Sequence, residues 1–347
     1  MNLIVVGETF ASSRTVQRIR AFRELGHQVR VISTTLPDAS YETRPDLLTR
    51  IRYRLRLPGD PAGANPALLQ ALEQQPADLV WFENVRMIHA ATLRRIRRQT
   101  ARPRLVWYGE DDMMNRRHRT RWVEGALPLF DLWVTTKSLN IRPDELPRLG
   151  VRRLLFVNNG FDPALHRPAV LTAEERERYA SPITFVGTFE HPRASSLLRL
   201  AESGLKVRVW GNGWSGWVGR HPLLAIENRP AYNDEYAKII AASAVNLCFL
   251  RKFNRDLQTC RSIEIPACGG FMIHERTDEM QALFEENREA VYFGGDDELV
   301  EHCRLWLADA PGRTAVAEAG RRRAWSAGLR HHDMLAGALD AAFREEP

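Results

Sequence analysis

A rhythm that runs once and then restarts is the strongest constraint on this chain. Short, continuously apolar runs alternate with stretches of helical periodicity. Leu3 to Val6 is such a run and ends in Gly7. Val16, Ile19, Phe22 and Leu25 then recur at helical spacing, Gly26 stops that helix, and His27 to Ser33 reads as a second strand. A strand that is apolar throughout is buried on both faces, and helices between such strands are the crossovers that parallel pairing needs. The pattern predicts further strands at 78–82, 104–108, 131–135 and 153–157, with helices at 46–53, 66–75, 88–99, 121–127 and 143–149. Asn158 to Pro163 is a turn-rich breaker and 165–178 a connection. The rhythm then resumes, with strands at 182–186, 207–210, 245–249, 271–274 and 290–293. Helices are expected at 194–203, 232–242, 262–267, 277–284, 297–308, 312–326 and 331–343.

The 347 residues exceed what one hydrophobic core usually serves. The expected fold class is therefore α/β, with two parallel-sheet domains at 1–165 and 175–330 facing a central cleft. Residues 331–347 form a C-terminal helix. Open parallel sheets bind ligands beyond the carboxyl ends of their strands, so a reaction with two substrates fits the pair.

The first apolar run has no basic residue before it and reads as a strand, not an export signal. No stretch approaches a membrane span, and the expected location is cytoplasmic. The four cysteines, Cys248, Cys260, Cys268 and Cys303, form no close metal or redox pair and read as buried thiols. The formal charge is +6, with clusters at Arg94–Arg98, Arg116–Arg119 and Arg321–Arg323. Such charge attracts phosphorylated small molecules, anionic lipid or nucleic acid. The absence of zinc-finger spacing, an RNP-type strand or a basic tail makes nucleic acid the least favoured partner.

The segment Arg251 to Gly270 concentrates the chemistry. It follows the strand at 245–249, at the end where ligands bind. Lys252, Arg255 and Arg261 are its cations, Asp256 and Glu264 its carboxylates, and Asn254 lies between them. A helix starting at Ser262 adds free N–H groups and a positive dipole end, which suits a diphosphate. The competing reading is a solvated loop with a few ion pairs. Gly187-Thr188 ends the first strand of the second domain, where a glycine lets backbone approach phosphate. Arg193 is a further phosphate candidate, and Asn212, between two glycines, can border a nucleoside. Neither GxxxxGK[ST] nor GxGxxG is present. In the first domain, Glu110, Asp111 and Asp112 crowd the end of the strand at 104–108. They act as acceptor ligands, as a base, or as a cap for the following segment. Gly7, Glu8, Thr9 and Lys137 occupy corresponding strand ends.

These segments resemble the GT-B glycosyltransferases, and within them the CgeB-like group often labelled glycosyltransferase family 1. The resemblance rests on Arg251 to Asp256, on Arg261 to Met272 and on Glu275 to Glu279. Tyr108 to Met113, Thr135 to Ser138, Phe161 to Pro163 and His166 to Pro168 also carry it. It implies two Rossmann-like domains, a nucleoside-diphosphate sugar held mainly by the second, an acceptor held by the first, and no bound metal or other cofactor. It also implies a C-terminal helix that crosses back to the first domain. Retaining members carry two glutamates separated by seven residues. Here the positions are Asp256, for the donor sugar, and Glu264, for the ribose, with aspartate a departure at the first.

The expected activity is transfer of a sugar from a nucleoside-diphosphate sugar to a hydroxyl acceptor, as in polysaccharide or surface-glycan synthesis. Retention of configuration is preferred. The expected donor set is Gly187, Thr188, Arg193, Asn212, Lys252, Asn254, Arg255, Asp256, Arg261, Ser262 and Glu264. Asp111, Asp112, Arg255 and Asp256 are the catalytic candidates, and Gly7, Glu8, Thr9, Glu110 and Lys137 line the acceptor side. A glycan, a lipid-linked glycan or another hydroxyl compound is the acceptor, with peripheral membrane association a further partner expectation. A nucleotide-sugar epimerase and a two-lobed protein that binds a ligand or nucleic acid are the alternatives.

Overall fold

The structure is a computed structural model that describes residues 1–344; residues 345–347 of the expected C-terminal segment lie outside the described residues. The chain divides into two compact units. The first is Met1–Asn158 together with the segment from His331 onward, and the second is Asn159–Arg330. The division thus falls at 158/159, not within 165–175.

The first unit contains β1 (Asn2–Gly7), α1 (Arg14–Glu24), β2 (Gln28–Ser33), α2 (Leu47–Arg54), α3 (Ala64–Gln74), β3 (Leu79–Glu83), α4 (Ala90–Arg97), β4 (Arg104–Gly109), α5 (Arg121–Ala126), β5 (Leu132–Thr135) and β6 (Leu154–Phe156). The second contains α6 (Ala173–Tyr179), β7 (Ser181–Val186), α7 (His191–Glu202), β8 (Val207–Trp210), β9 (Leu224–Ile226), α8 (Asn233–Ala242), β10 (Ser243–Cys248), α9 (Cys260–Ala267), β11 (Met272–Glu275), α10 (Asp278–Leu283), β12 (Val291–Phe293), α11 (Asp296–Ala308) and α12 (Ala310–Ser326). Helix α13 (His331–Phe343) belongs to the first unit.

Each sheet has six parallel strands. The orders are β2-β1-β3-β4-β5-β6 and β12-β11-β10-β7-β8-β9. Alternation along the strands explains the continuous apolar runs. Ile4, Val6, Val80, Phe82, Leu105 and Trp107 join one buried cluster with α3, α4 and α5. Leu3, Val5, Leu79, Trp81, Val106 and Tyr108 join another with α1 and α13. Both faces of the sheet are therefore covered. Helix α13 buries Met334, Leu335 and Leu339 in the second of these clusters, a gain of about 1.5–3 kcal/mol for each side chain.

Helix starts follow their capping residues. Ser13, Asp46, Thr120 and Thr277 accept from backbone amides of α1, α2, α5 and α10, while Thr172 and Glu175 form a capping box on α6. Three expectations fail locally. The stretch 143–149 holds only a 3-10 turn at Pro147–Leu149, α6 lies inside the expected connection, and edge strand β9 was not expected. A three-residue edge strand offers too little apolar sequence to register as a run.

The switch point of each sheet is where strand order reverses: between β1 and β3 in the first unit, and between β7 and β10 in the second. A crevice opens beyond the carboxyl ends of the strands at such a point.

Candidate functional site

In the second unit the switch point is bounded by Gly187-Thr188, after β7, and by Phe249 to Arg251, after β10. Two arginines meet there over one aromatic ring. The guanidinium carbon of Arg193, in the first turn of α7, lies 5.5 Å from the centroid of Phe185. That of Arg261, in the first turn of α9, lies 5.9 Å from the same centroid.

Arg193 is 3% exposed. It donates to Glu190 at 2.9 Å and to the Thr188 carbonyl at 3.2 Å, and its Nε has no hydrogen-bond partner. The half-buried Arg261 has no side-chain hydrogen bond or ion pair among the described residues, and its Nε is buried and unpartnered. Burial first, then Arg261, pulls the Arg193 guanidinium down to about 10; Glu190 opposes the shift and Arg251 adds to it. Two cations near one ring, with Glu190 bonded to Arg193 alone, make an arrangement whose charge suits an anion with several negative oxygens. The start of eight-residue α9 points the same way.

Glycine is required beside this pair. A Cβ on Gly211, whose φ is +150°, would sit 2.0 Å from the Gly187 carbonyl oxygen, and a Cβ on Gly187 would press on the Phe185 ring. The Gly187 carbonyl also accepts from Trp214 Nε1 at 2.9 Å. Gly187 and Gly211 thus let two strand ends close beside the arginines. Asn212 follows Gly211, and its carbonyl accepts from the Phe189 amide. Thr188 contributes its carbonyl to Arg193, while its side chain is exposed.

The remaining donor candidates separate into two groups. Glu264 is buried in α9. Its Oε1 is 3.8 Å from His166 Nε2, and the His166 ring meets the Tyr236 ring edge-on. Because His166 Nδ1 accepts from the Asp162 amide at 3.0 Å, the Nε2 edge is the one turned to Glu264. Burial raises the Tyr236 hydroxyl well above its ordinary value, and the Glu264 carboxylate adds to the shift.

Four other residues organise the loop. The Asp256 side chain is fully buried, accepting from Asn254 Nδ2 at 2.6 Å and from Arg251 Nε at 3.1 Å. Asn254 is spent on that bond and is itself buried. Lys252 pairs with Glu275, whose other oxygen accepts from the Leu250 amide. The helix begins at Cys260, not Ser262. The Ser262 hydroxyl completes a capping box with Thr259 and contacts His274 Nε2 at 2.7 Å, so it is consumed in the cap. The hydrogen bonds of Lys252, Asn254, Asp256 and Ser262 hold the loop that carries Arg261. Arg255 sits at φ +44° just after the 3-10 turn, half-buried.

In the first unit, β1, β3 and β4 end in a cluster of charge. Arg18, 3% exposed, donates through Nε to both oxygens of Glu83 at 2.8 and 2.9 Å, and through Nη1 to Glu110 at 2.9 Å. The Tyr108 ring lies beneath its guanidinium at 4.4 Å, and Trp81 Nε1 donates to Glu83. Burial opposes ionisation of Glu110, but Arg18 and Arg14 outweigh it and hold the carboxyl at about 2. Glu83 moves the other way because burial exceeds what Arg18 returns. Asp111 accepts from Asn84 at 2.9 Å and from Arg86 at 2.7 Å, with His118 Nδ1 3.7 Å away. Glu8 keeps an exposed edge, yet loss of solvation raises its carboxyl; Arg86 opposes this, and Asp111 and Glu83 add to it.

The catalytic candidate Asp112 is 2% exposed and accepts from Asn140 Nδ2 and the Met114 amide. Gly7 serves close packing, since a Cβ would lie 2.7 Å from that of Glu83. The Thr9 hydroxyl is bonded to Ser33 beside β2. Lys137 is buried just after β5.

Residues 193–335 match the family model described as glycosyl transferase-like. The chain carries a glycosyl transferase-like domain. The matched stretch begins at Arg193 and includes Arg261 and Glu264. No curated protein sequence matches the chain. Solved structures share its fold across its length. Sucrose-phosphate synthase of Thermosynechococcus elongatus is 14% identical, with a TM-score of 0.70 and 98% of each chain covered. A trehalose-phosphate synthase (UDP-forming) of Burkholderia vietnamiensis is 14% identical, with a TM-score of 0.66 and coverage of 98% of this chain and 100% of that one. Anabaena HepE, solved with UDP, is 12% identical with a TM-score of 0.61, again covering 98% and 100%. The chain has the GT-B fold of these glycosyltransferases.

Around the glycosyl transferase-like domain, sequence reasoning missed Phe185, His166, Arg251 and Tyr236, and in the first unit Arg18, Glu83, Asn84 and Arg86. Two of them carried a signal, His166 in the His166-Arg167-Pro168 segment and Arg251 at the head of Arg251 to Asp256. Phe185 reads as an ordinary strand residue until two arginines lie on it. Among the described residues no group of three or more His, Cys, Asp or Glu is placed to hold a metal, and no helix is long and apolar enough to cross a membrane. All four cysteines are buried free thiols, and burial pushes Cys248 up to about 11 and Cys303 to about 12.

Proposed function

We propose that the protein transfers a sugar from a nucleoside-diphosphate sugar to a hydroxyl of a glycan or lipid-linked glycan. The second unit binds the donor and the first unit binds the acceptor. The observation that carries this reading is the pair Arg193 and Arg261, held together over Phe185 at the switch point of the second sheet. Uridine is the favoured base, since HepE was solved with UDP-glucose as well as UDP and the Burkholderia enzyme is UDP-forming.

The reaction breaks the bond between the anomeric carbon and the diphosphate, and negative charge grows on the leaving oxygen. Arg193 and Arg261 are in place before that charge appears, so stabilising it needs little rearrangement. Glu264, beside His166, holds the ribose hydroxyls. Asp256 acts through Arg251 by fixing the loop. On the acceptor side Asp111, paired with Arg86, and Glu8 receive the acceptor hydroxyls.

Retention is the preferred outcome. The departing phosphate, facing the incoming hydroxyl on the same side of the sugar, takes its proton as the new glycosidic bond forms. No separate strong base is then required. The chemistry needs no metal where two arginines meet the diphosphate.

A thermal-shift screen of uridine, guanosine, thymidine and cytidine diphosphates and their sugars tests the donor assignment. Stabilisation by a nucleoside diphosphate that Arg193→Gln abolishes is the expected result; no response to any of them removes the proposal. NMR of the product anomer decides retention, and conversion of donor alone into a second nucleotide sugar would indicate an epimerase.

A further inference from the structure

Helix α2 is built the wrong way round for a helix that packs on its own protein. Leu47, Leu48 and Ile51 of the helix and Leu55 at its C-cap fall, at 100° per residue, within a sector of about 100°. They are among the most exposed large apolar side chains of the chain, at 70%, 58%, 43% and 57%. No residue of the helix is buried. Thr49, on the opposite side, is its one residue that is partly covered.

The helix is nonetheless fixed in place. Asp46 caps it by accepting from the Thr49 amide at 2.7 Å. Beyond its C-terminal end the Arg56 guanidinium donates to the Arg119 carbonyl at 2.8 Å, and the Arg56 carbonyl accepts from the Arg121 amide. Trp122 Nε1 donates to the Pro58 carbonyl. The apolar sector is thus presented outward on an ordered support.

The charge around it is mostly positive. Arg50 and Arg54 border one edge of the sector, and Arg44 precedes the helix. Arg52, on the other edge, folds back toward Gly59. Between residues 42 and 56 five arginines face two acids, Glu42 and Asp46; Asp46 is engaged in the cap, and of the arginines Arg56 pairs with Glu124.

We propose that α2 is an interfacial helix that seats the first unit on an anionic lipid surface, with Leu47, Leu48, Ile51 and Leu55 entering the headgroup boundary and the flanking arginines pairing with lipid phosphates. Arginine suits the edge of such a helix. Its aliphatic stem lies along the apolar sector while the guanidinium stays at the level of the headgroups. An exposed eight-residue helix flanked by Arg44, Arg50 and Arg54, which have no acidic partner among the described residues, matches the sign of an anionic membrane. The seat does not depend on the donor assignment above.

The test is co-flotation of the full chain with vesicles of phosphatidylcholine alone, or with about a third of it replaced by phosphatidylglycerol. The wild type is expected to float with the anionic vesicles only. Leu48→Ser with Ile51→Ser should lose that binding by tenfold or more, and Arg50→Gln with Arg54→Gln should weaken it by about fivefold for each charge removed. Both variants should melt and bind nucleotide as the wild type does, because these side chains are exposed. Failure of the wild type to float with anionic vesicles overturns the proposal. Flotation that the Ser variants leave unchanged does so too, since bulk charge would then explain it. Self-association abolished by the Ser variants, without flotation, would assign the face to protein contact instead.

Discussion

Removing a cation from the interior of a folded protein usually costs stability. At Arg261 the opposite sign is expected, paired with a loss of function. Each guanidinium lies within 6 Å of the Phe185 centroid, so the separation of Arg193 and Arg261 is at most about 11 Å. At an effective dielectric constant of about 20 their repulsion is then about 1.5 kcal/mol or more before screening by salt. Among the described residues Arg261 has no ion pair of its own. Arg261→Met keeps the aliphatic stem against Phe185 and deletes the charge.

Without ligand, Arg261→Met should therefore be more stable than wild type by about 1 kcal/mol. A charge-assisted bond to phosphate is worth about 1.5–3 kcal/mol, so UDP affinity should fall by about tenfold to a hundredfold. Urea melts with and without UDP, together with calorimetric titration, measure both. A variant less stable than wild type in the absence of ligand, with unchanged UDP affinity, would refute the argument. It would show that Arg261 is a structural cation.

The Arg18–Glu110 pair makes a pH prediction with a defined sign. Its folded carboxyl is held at about 2 against 4.5 ordinarily, so its stabilisation is fully present above pH 4.5 and is lost as pH falls toward 2. Glu110→Gln should cost roughly 3 kcal/mol at neutral pH, and melts at stepped pH should show the deficit closing through that window; a deficit that persists below pH 2 would contradict the assignment. Glu264→Ala should weaken nucleotide binding by tenfold or more while leaving far-UV circular dichroism unchanged. Wild-type affinity in that variant would remove Glu264 from the ribose.

The succession of elements was legible in the sequence because parallel strands covered on both faces must be apolar at every position. Leu79 to Phe82 and Val106 to Tyr108 can hardly be anything else, and capping residues such as Asp46 and Thr277 mark where helices start. The segment that carries the charged site was legible for a related reason: glycines, cations and carboxylates collect at the ends of strands where a crevice opens. Individual roles within it were not. Asp256 and Lys252 read as ligand groups, yet the fold gives each a partner, Arg251 and Glu275. Arg193 and Arg261 stand 68 positions apart, and only the register of β7 against β10 brings them over one ring.

The difference is physical. Hydrophobic periodicity acts along a few neighbouring residues, and the sequence by itself therefore determined the strands, helices and their alternation. Whether a charge is satisfied depends on what stands beside it in space, and that only the tertiary structure decided.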